Sequence, residues 1–112
     1  MTTAVRVARG SLHLTKEVYD RYFMGLDAVV LQRRGADLLV LPVRHTPAGG
    51  YVLKHRNARG DRVAVAADFF RAHGFDDERE RHAATRWDDA ASGLLADGIF
   101  EEDGRADGDR NA

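Results

Sequence analysis

The chain contains no cysteine, so neither a disulfide framework nor a thiolate metal site can form, and nothing in it asks for an oxidising compartment. Proline is scarce, with two in 112 residues, and Trp87 is the single tryptophan. No apolar run reaches the length of a membrane span. The most apolar stretch, Asp27 to Val43, is broken by Gln32, Arg33, Arg34 and Asp37. The N-terminus, Met1-Thr2-Thr3-Ala4-Val5-Arg6, lacks the basic region and apolar core of an export signal. These absences predict one compact domain over residues 1–100, cytoplasmic and not associated with a membrane. An excess of either charge is missing too, since 17 Lys and Arg face 18 Asp and Glu.

That balance hides an asymmetry. Residues 1–74 hold 12 cationic and 6 acidic side chains, a net +6, whereas residues 75–112 hold 5 and 12, a net −7. A basic body followed by an acidic end suits a chain that touches an anion with one part and screens it with another. Residues 101–112, rich in acid and glycine with only alanine as an apolar residue, bury too little to offset ordering entropy and are expected to form a disordered tail.

Local patterns read mostly as strand. Val5 and Val7 alternate with polar or small neighbours up to Gly10, and Leu12 and Leu14 continue the alternation. Thr15 can cap a helix whose first turn holds Glu17 and which Gly25 stops. Ala28 to Leu31 and Leu38 to Val43 form a hairpin across the polar turn Arg33-Arg34-Gly35-Ala36-Asp37. His45 to Gly50, with Pro47 and Gly49-Gly50, reads as a connector. The same grammar then returns. A strand begins at Tyr51, Arg59-Gly60-Asp61 turns, Val63 and Val65 alternate, and a short helix covers Ala67 to His73 before Gly74. His82 to Trp87 reads as a strand returning through Gly93 to Ala96, although Asp88 to Ala96 also reads as a short helix.

Sliding the chain by 51 positions places Leu12 on Val63, Leu14 on Val65, Glu17 on Asp68 and Val18 on Phe69. This suggests two repeats, about 4–44 and 51–97, each too small for a self-sufficient core and therefore closed against the other around a pseudo-twofold axis. The fold class is mainly β with two short helices, an α+β arrangement.

The residues that carry the repeat also carry a resemblance. Lys54 through Arg71, with its strand, glycine-arginine turn, β-branched strand and acid-containing helix start, and Gly10 through Val18 in the first half, resemble the AbrB/MraZ class of swapped-hairpin DNA-binding domains. Two units in one chain resemble the MraZ arrangement. The resemblance implies a tandem swapped-hairpin β-barrel and a small transcription regulator that binds duplex DNA. The chain departs from the family pattern at Ser11, where arginine commonly follows the turn glycine, at the inserted Asp61, and at Thr15 and Ala66, where proline opens the helix. These departures touch the cationic surface more than the fold. They leave open a protein–protein adaptor, or an assembly factor for a larger enzyme, on the same fold without DNA.

If DNA is bound, guanidinium and ammonium groups on strands and turns must engage phosphates, with some reaching base edges. The candidates are Arg56, Arg59, Arg62 and Arg71 with Lys54, and then Arg6 and Arg9. For a protein partner or a homodimer the candidates are Phe70 and Trp87. Phe69 and Phe70 are adjacent on a short helix and cannot both face one core stripe, and Trp87 sits between Arg86 and Asp88.

Chemistry finds little purchase. His13, His45, His55, His73 and His82 are scattered without an i, i+4 pair, so no metal site and no cofactor is expected. Ser11 and His13 share a strand face but no nearby acid orients the imidazole. Gly49-Gly50 lacks the lysine and hydroxyl residue of a phosphate loop, and Asp76 to Arg81 lacks calcium-loop spacing. The chain is not expected to be an enzyme.

Overall fold

A computed structural model describes residues 4–44 and 49–101. Residues 45–48 of the expected connector His45 to Gly50, and residues 102–112 of the expected tail 101–112, lie outside the described residues. Ten elements follow one another: β1 (Ala4–Ala8), β2 (Ser11–Leu14), α1 (Lys16–Tyr22), β3 (Ala28–Arg34), β4 (Asp37–Val43), β5 (Tyr51–His55), β6 (Arg62–Val65), α2 (Ala67–Ala72), β7 (Glu80–Asp88) and β8 (Gly93–Ala96). The strands close into an antiparallel barrel in the order β1-β2-β6-β5-β3-β4-β8-β7. Asp88 to Ala96 is not helical, because Asp88 pairs with Gly93 and the ladder runs on to Thr85 and Ala96.

Exchanging β1 to β4 for β5 to β8 maps this ring onto itself, so the connectivity has a pseudo-twofold axis. The axis passes between β2 and β6, where Leu12 lies opposite Ala64 and His13 opposite Val63. The 51-residue offset is therefore one residue out of phase. Facing residues of an antiparallel pair share a side, so Val63 belongs with outward His13, whereas Leu12 belongs with inward Ala64. An offset of 52 pairs Leu12 with Ala64, Leu14 with Ala66, Val18 with Phe70 and Phe23 with Phe75, all buried.

The period of 2 explains the interior. Val5, Val7, Leu12, Leu14, Leu53, Ala64 and Ala83 fill it from one side of the ring, and Val29, Leu31, Leu38, Val40, Leu94 and Ala96 from the other. Val18 and Tyr19 of α1 and Phe70 of α2 join the same cluster, with Phe75, Ile99 and Phe100. Phe70 is wholly buried, its ring 5.3 Å from Phe69 and 5.7 Å from Phe75. It cannot serve as an interface anchor, because α2 is a single short segment whose apolar stripe falls on Phe70 and leaves Phe69 half-buried. Trp87 is half-buried, its ring stacked flat on Tyr22 at 5.4 Å.

Each hairpin tip reaches across to the helix of the other half. The β1–β2 turn has positive φ at both central residues, Arg9 at 54° and Gly10 at 73°, as a two-residue type I′ turn requires. Its Gly10 carbonyl accepts from the Ala66 amide at 2.9 Å at the start of α2. A Cβ on Gly10 would meet the Ala67 Cβ at 2.7 Å. The longer β5–β6 loop lies by α1, where Asp61 accepts from the Lys16 amide at 2.9 Å.

Candidate anion-binding face

The outward positions on the β7-β1-β2-β6-β5 side form a cross-strand row. Arg6 faces His82 on one neighbour and His13 on the other, His13 faces Val63, and Val63 faces Lys54. Inward Val5, Val7, Leu12, Leu14, Ala64 and Leu53 alternate with these residues, so the row is a direct consequence of the pleat. Arg9 stands at the hairpin turn beside this row. Arg56 opens the β5–β6 loop, held there by its amide donating to the Asp61 carbonyl at 2.8 Å.

Two depressions meet on this face. One, of about 210 Å³, is lined by Arg6, His13, Arg56, Asp61, His82 and Thr15 among others. The second, of about 320 Å³, is lined by Arg6, Arg9, Ser11, His13, Arg56 and Glu80 with Ala8. Arg6, His13 and Arg56 belong to both. Glu80 approaches Arg6 at 3.3 Å and His82 at 3.9 Å. Burial, reinforced by the Arg6 and Arg56 guanidiniums, pushes the His13 imidazole down to about 4, with Glu80 opposing. The imidazole is therefore neutral at physiological pH, and its Nδ1 is buried with no hydrogen-bond partner among the described residues.

The seven nominated cations divide. Arg6, Arg9, Lys54 and Arg56 share this face, and Arg9, Lys54 and Arg56 make no ion pair among the described residues. Arg59 and Arg62 are spent on the fold. Arg59 grips Asp61 at 2.9 Å, and Arg62 lies 4.0 Å from the Tyr19 ring centroid while donating to the Gly60 carbonyl. Asp61 organises the loop, accepting from Asn57, Arg59 and the Lys16 amide. The Asn57 hydrogen bond, then the others, hold its carboxyl down at about 2. Arg71 sits on α2 with its own partner, Asp77, at 3.3 Å.

His13, His82, Ser11 and Glu80 were not among the nominated site residues. A two-residue turn at Arg9-Gly10 fixes the register so that Arg6 faces His13, and that pairing is readable from the sequence once the turn is recognised. The approach of Arg56 and Glu80 is not, because it depends on the closed ring. Of the remaining histidines, His55 is exposed and His73 lies 4.6 Å from the Phe69 ring, while His45 is outside the described residues. Among the described residues no three His, Asp or Glu side chains are grouped to hold a metal ion, and no helix is long and apolar enough to cross a membrane. The chain matches no family model, no curated protein and no solved structure in the comparisons made.

Proposed function

We propose that the chain is a small cytoplasmic regulator that binds duplex DNA through the outer face of β7-β1-β2-β6-β5. One observation carries this reading: Arg6, Arg9, Lys54 and Arg56 converge on a single barrel face although they come from both halves of the sequence. Guanidinium forks on a sheet surface suit phosphate contacts, which supply most of the affinity of such complexes. Fluorescence anisotropy with a labelled duplex, titrated across salt, tests it. With three or four phosphates engaged, log K falls with log salt at a slope of about −3, and Arg9→Ala or Arg56→Ala each flattens it by about one. Absence of binding at low salt overturns the reading.

A protein adaptor is the second reading, favoured by Val52 and Val65, which are 46% and 57% exposed on this same face beside Lys54 and Val63. Exposed valines on a strand surface fit a protein partner better than a phosphate backbone. Recovery of a stoichiometric partner that Val65→Asp abolishes, with no response to duplex DNA, decides for the adaptor.

A further inference from the structure

We infer that the joined depressions around Arg6, His13 and Arg56 seat a discrete phosphate group, gripped by the two guanidiniums with Arg9 and the Ser11 hydroxyl as further donors. This deepens the reading of the same face by naming the ligand chemistry, and it does not require the ligand to be DNA.

The argument starts from which side chains the ring brings together. The larger depression is lined by three arginines, a serine and a histidine against one carboxylate, Glu80. Three fixed cations around one concavity repel each other unless an anion enters, and among the described residues only Arg6 of the three has an ion-pair partner. That partner is displaceable. The Arg6–Glu80 pair spans 3.3 Å with the glutamate side chain 54% exposed, the kind of contact that contributes little in water. Bidentate geometry makes phosphate a better occupant of a guanidinium fork than one exposed carboxylate held through a single contact.

His13 adds a coupling. It lies in the wall common to both depressions, and its buried Nδ1 has no hydrogen-bond partner among the described residues. The charged and titratable groups around it are Arg6 from β1, Arg9 from the first turn, Glu80 and His82 from β7, Arg56 and Asp61 from the second hairpin, and Lys54 beyond Val63 on β5. Burial first, and the Arg6 and Arg56 guanidiniums after it, outweigh Glu80 and keep the imidazole neutral. A phosphate between Arg6 and Arg56 offsets part of that positive field, so the protonated ring, an additional donor to the anion, is reached at a higher pH when the anion is bound. No covalent step is involved.

The test is NMR titration of the histidine rings of the full chain between about pH 3 and pH 8, in inorganic phosphate and in sodium chloride of equal ionic strength. The expected result is a His13 midpoint at least about one pH unit higher in phosphate than in chloride, corresponding to about a tenfold tighter hold on the protonated ring. Arg56→Gln, an exposed loop substitution, removes that difference, and Glu80→Gln tightens phosphate several-fold. Identical His13 curves in the two salts overturn the seat, as does a shift that survives both Arg6→Gln and Arg56→Gln. Competition then separates the sources. Displacement of phosphate by an unlabelled duplex identifies the DNA backbone as the natural occupant, whereas displacement by adenosine monophosphate but not by duplex identifies a small phosphorylated ligand. The seat stands in either case, while a flat DNA titration sinks only the regulator reading.

Discussion

The two hairpins do the same job by different means. The first, β1–β2, turns in two residues and meets α2 by close approach, with a bare glycine against Ala67 and a backbone hydrogen bond to Ala66. The second, β5–β6, needs six residues, 56–61, and meets α1 through side-chain chemistry, with Asp61 accepting from Asn57, Arg59 and the Lys16 amide. The helices mirror the difference. Thr15 caps α1 by accepting from the Val18 amide at 3.2 Å, whereas Ala66 offers α2 no side-chain cap. A pseudo-symmetric ring thus fixes where a tip and a helix must meet and leaves the kind of contact open. In one half the contact is steric and indifferent to pH; in the other it is ionic.

The sharpest way to break this comparison is Gly10→Ala. The new Cβ would sit at 2.7 Å from the Ala67 Cβ and 2.8 Å from its Cα, at a positive φ that disfavours any side chain. Strain and overlap together cost about 3 kcal/mol, read as a fall in the denaturation midpoint. Gly35→Ala is the control, because its φ of 62° is also positive but nothing lies within 4 Å. It should lose only about 1 kcal/mol.

Next in size is Asp61→Asn, which removes the ionic acceptor from the second tip. Because the native carboxyl titrates near 2 while an unfolded aspartate titrates near 3.9, the folded state binds fewer protons in between. The contribution of Asp61 is complete above about pH 4 and lost as the pH falls through about 2. The variant should melt at a lower temperature at neutral pH and show a shallower decline across that acid window. An unchanged acid limb in a thermal melt series would sink the ionic account of this tip. The smallest effect is expected of Thr15→Ala, a loss of about 1 kcal/mol through the missing N-cap, measured by urea unfolding.

Elements with strong local signatures were legible. The alternation of Val5, Val7, Leu12 and Leu14, the cap at Thr15 and the turn between β3 and β4 depend on neighbours in sequence, and the pattern carries them. The phase of the repeat was not legible, because the inward positions Ala64, Ala66, Ala83 and Ala96 are alanines while Val63 and Val65, more apolar to the eye, point outward. A hydrophobic pattern cannot tell a small buried residue from a neutral one. The cationic site was legible only in part. Cationic content nominated six arginines and Lys54, but Asp61, standing between Arg59 and Arg62, signals that those two are engaged locally. Phe70 and Phe69 could not be ordered by spacing alone, since one residue of rotation on so short a helix decides which is enclosed.

Because each tip latches onto the helix of the opposite half, neither half possesses a finished structure of its own. Loosening either latch strips a helix from one half and a hairpin tip's support from the other at once, which leaves no comfortable halfway state. The barrel should therefore open in a single concerted event. Cut between Gly49 and Gly50, its two pieces would be expected to find one another again in solution, each supplying the clasp the other lacks.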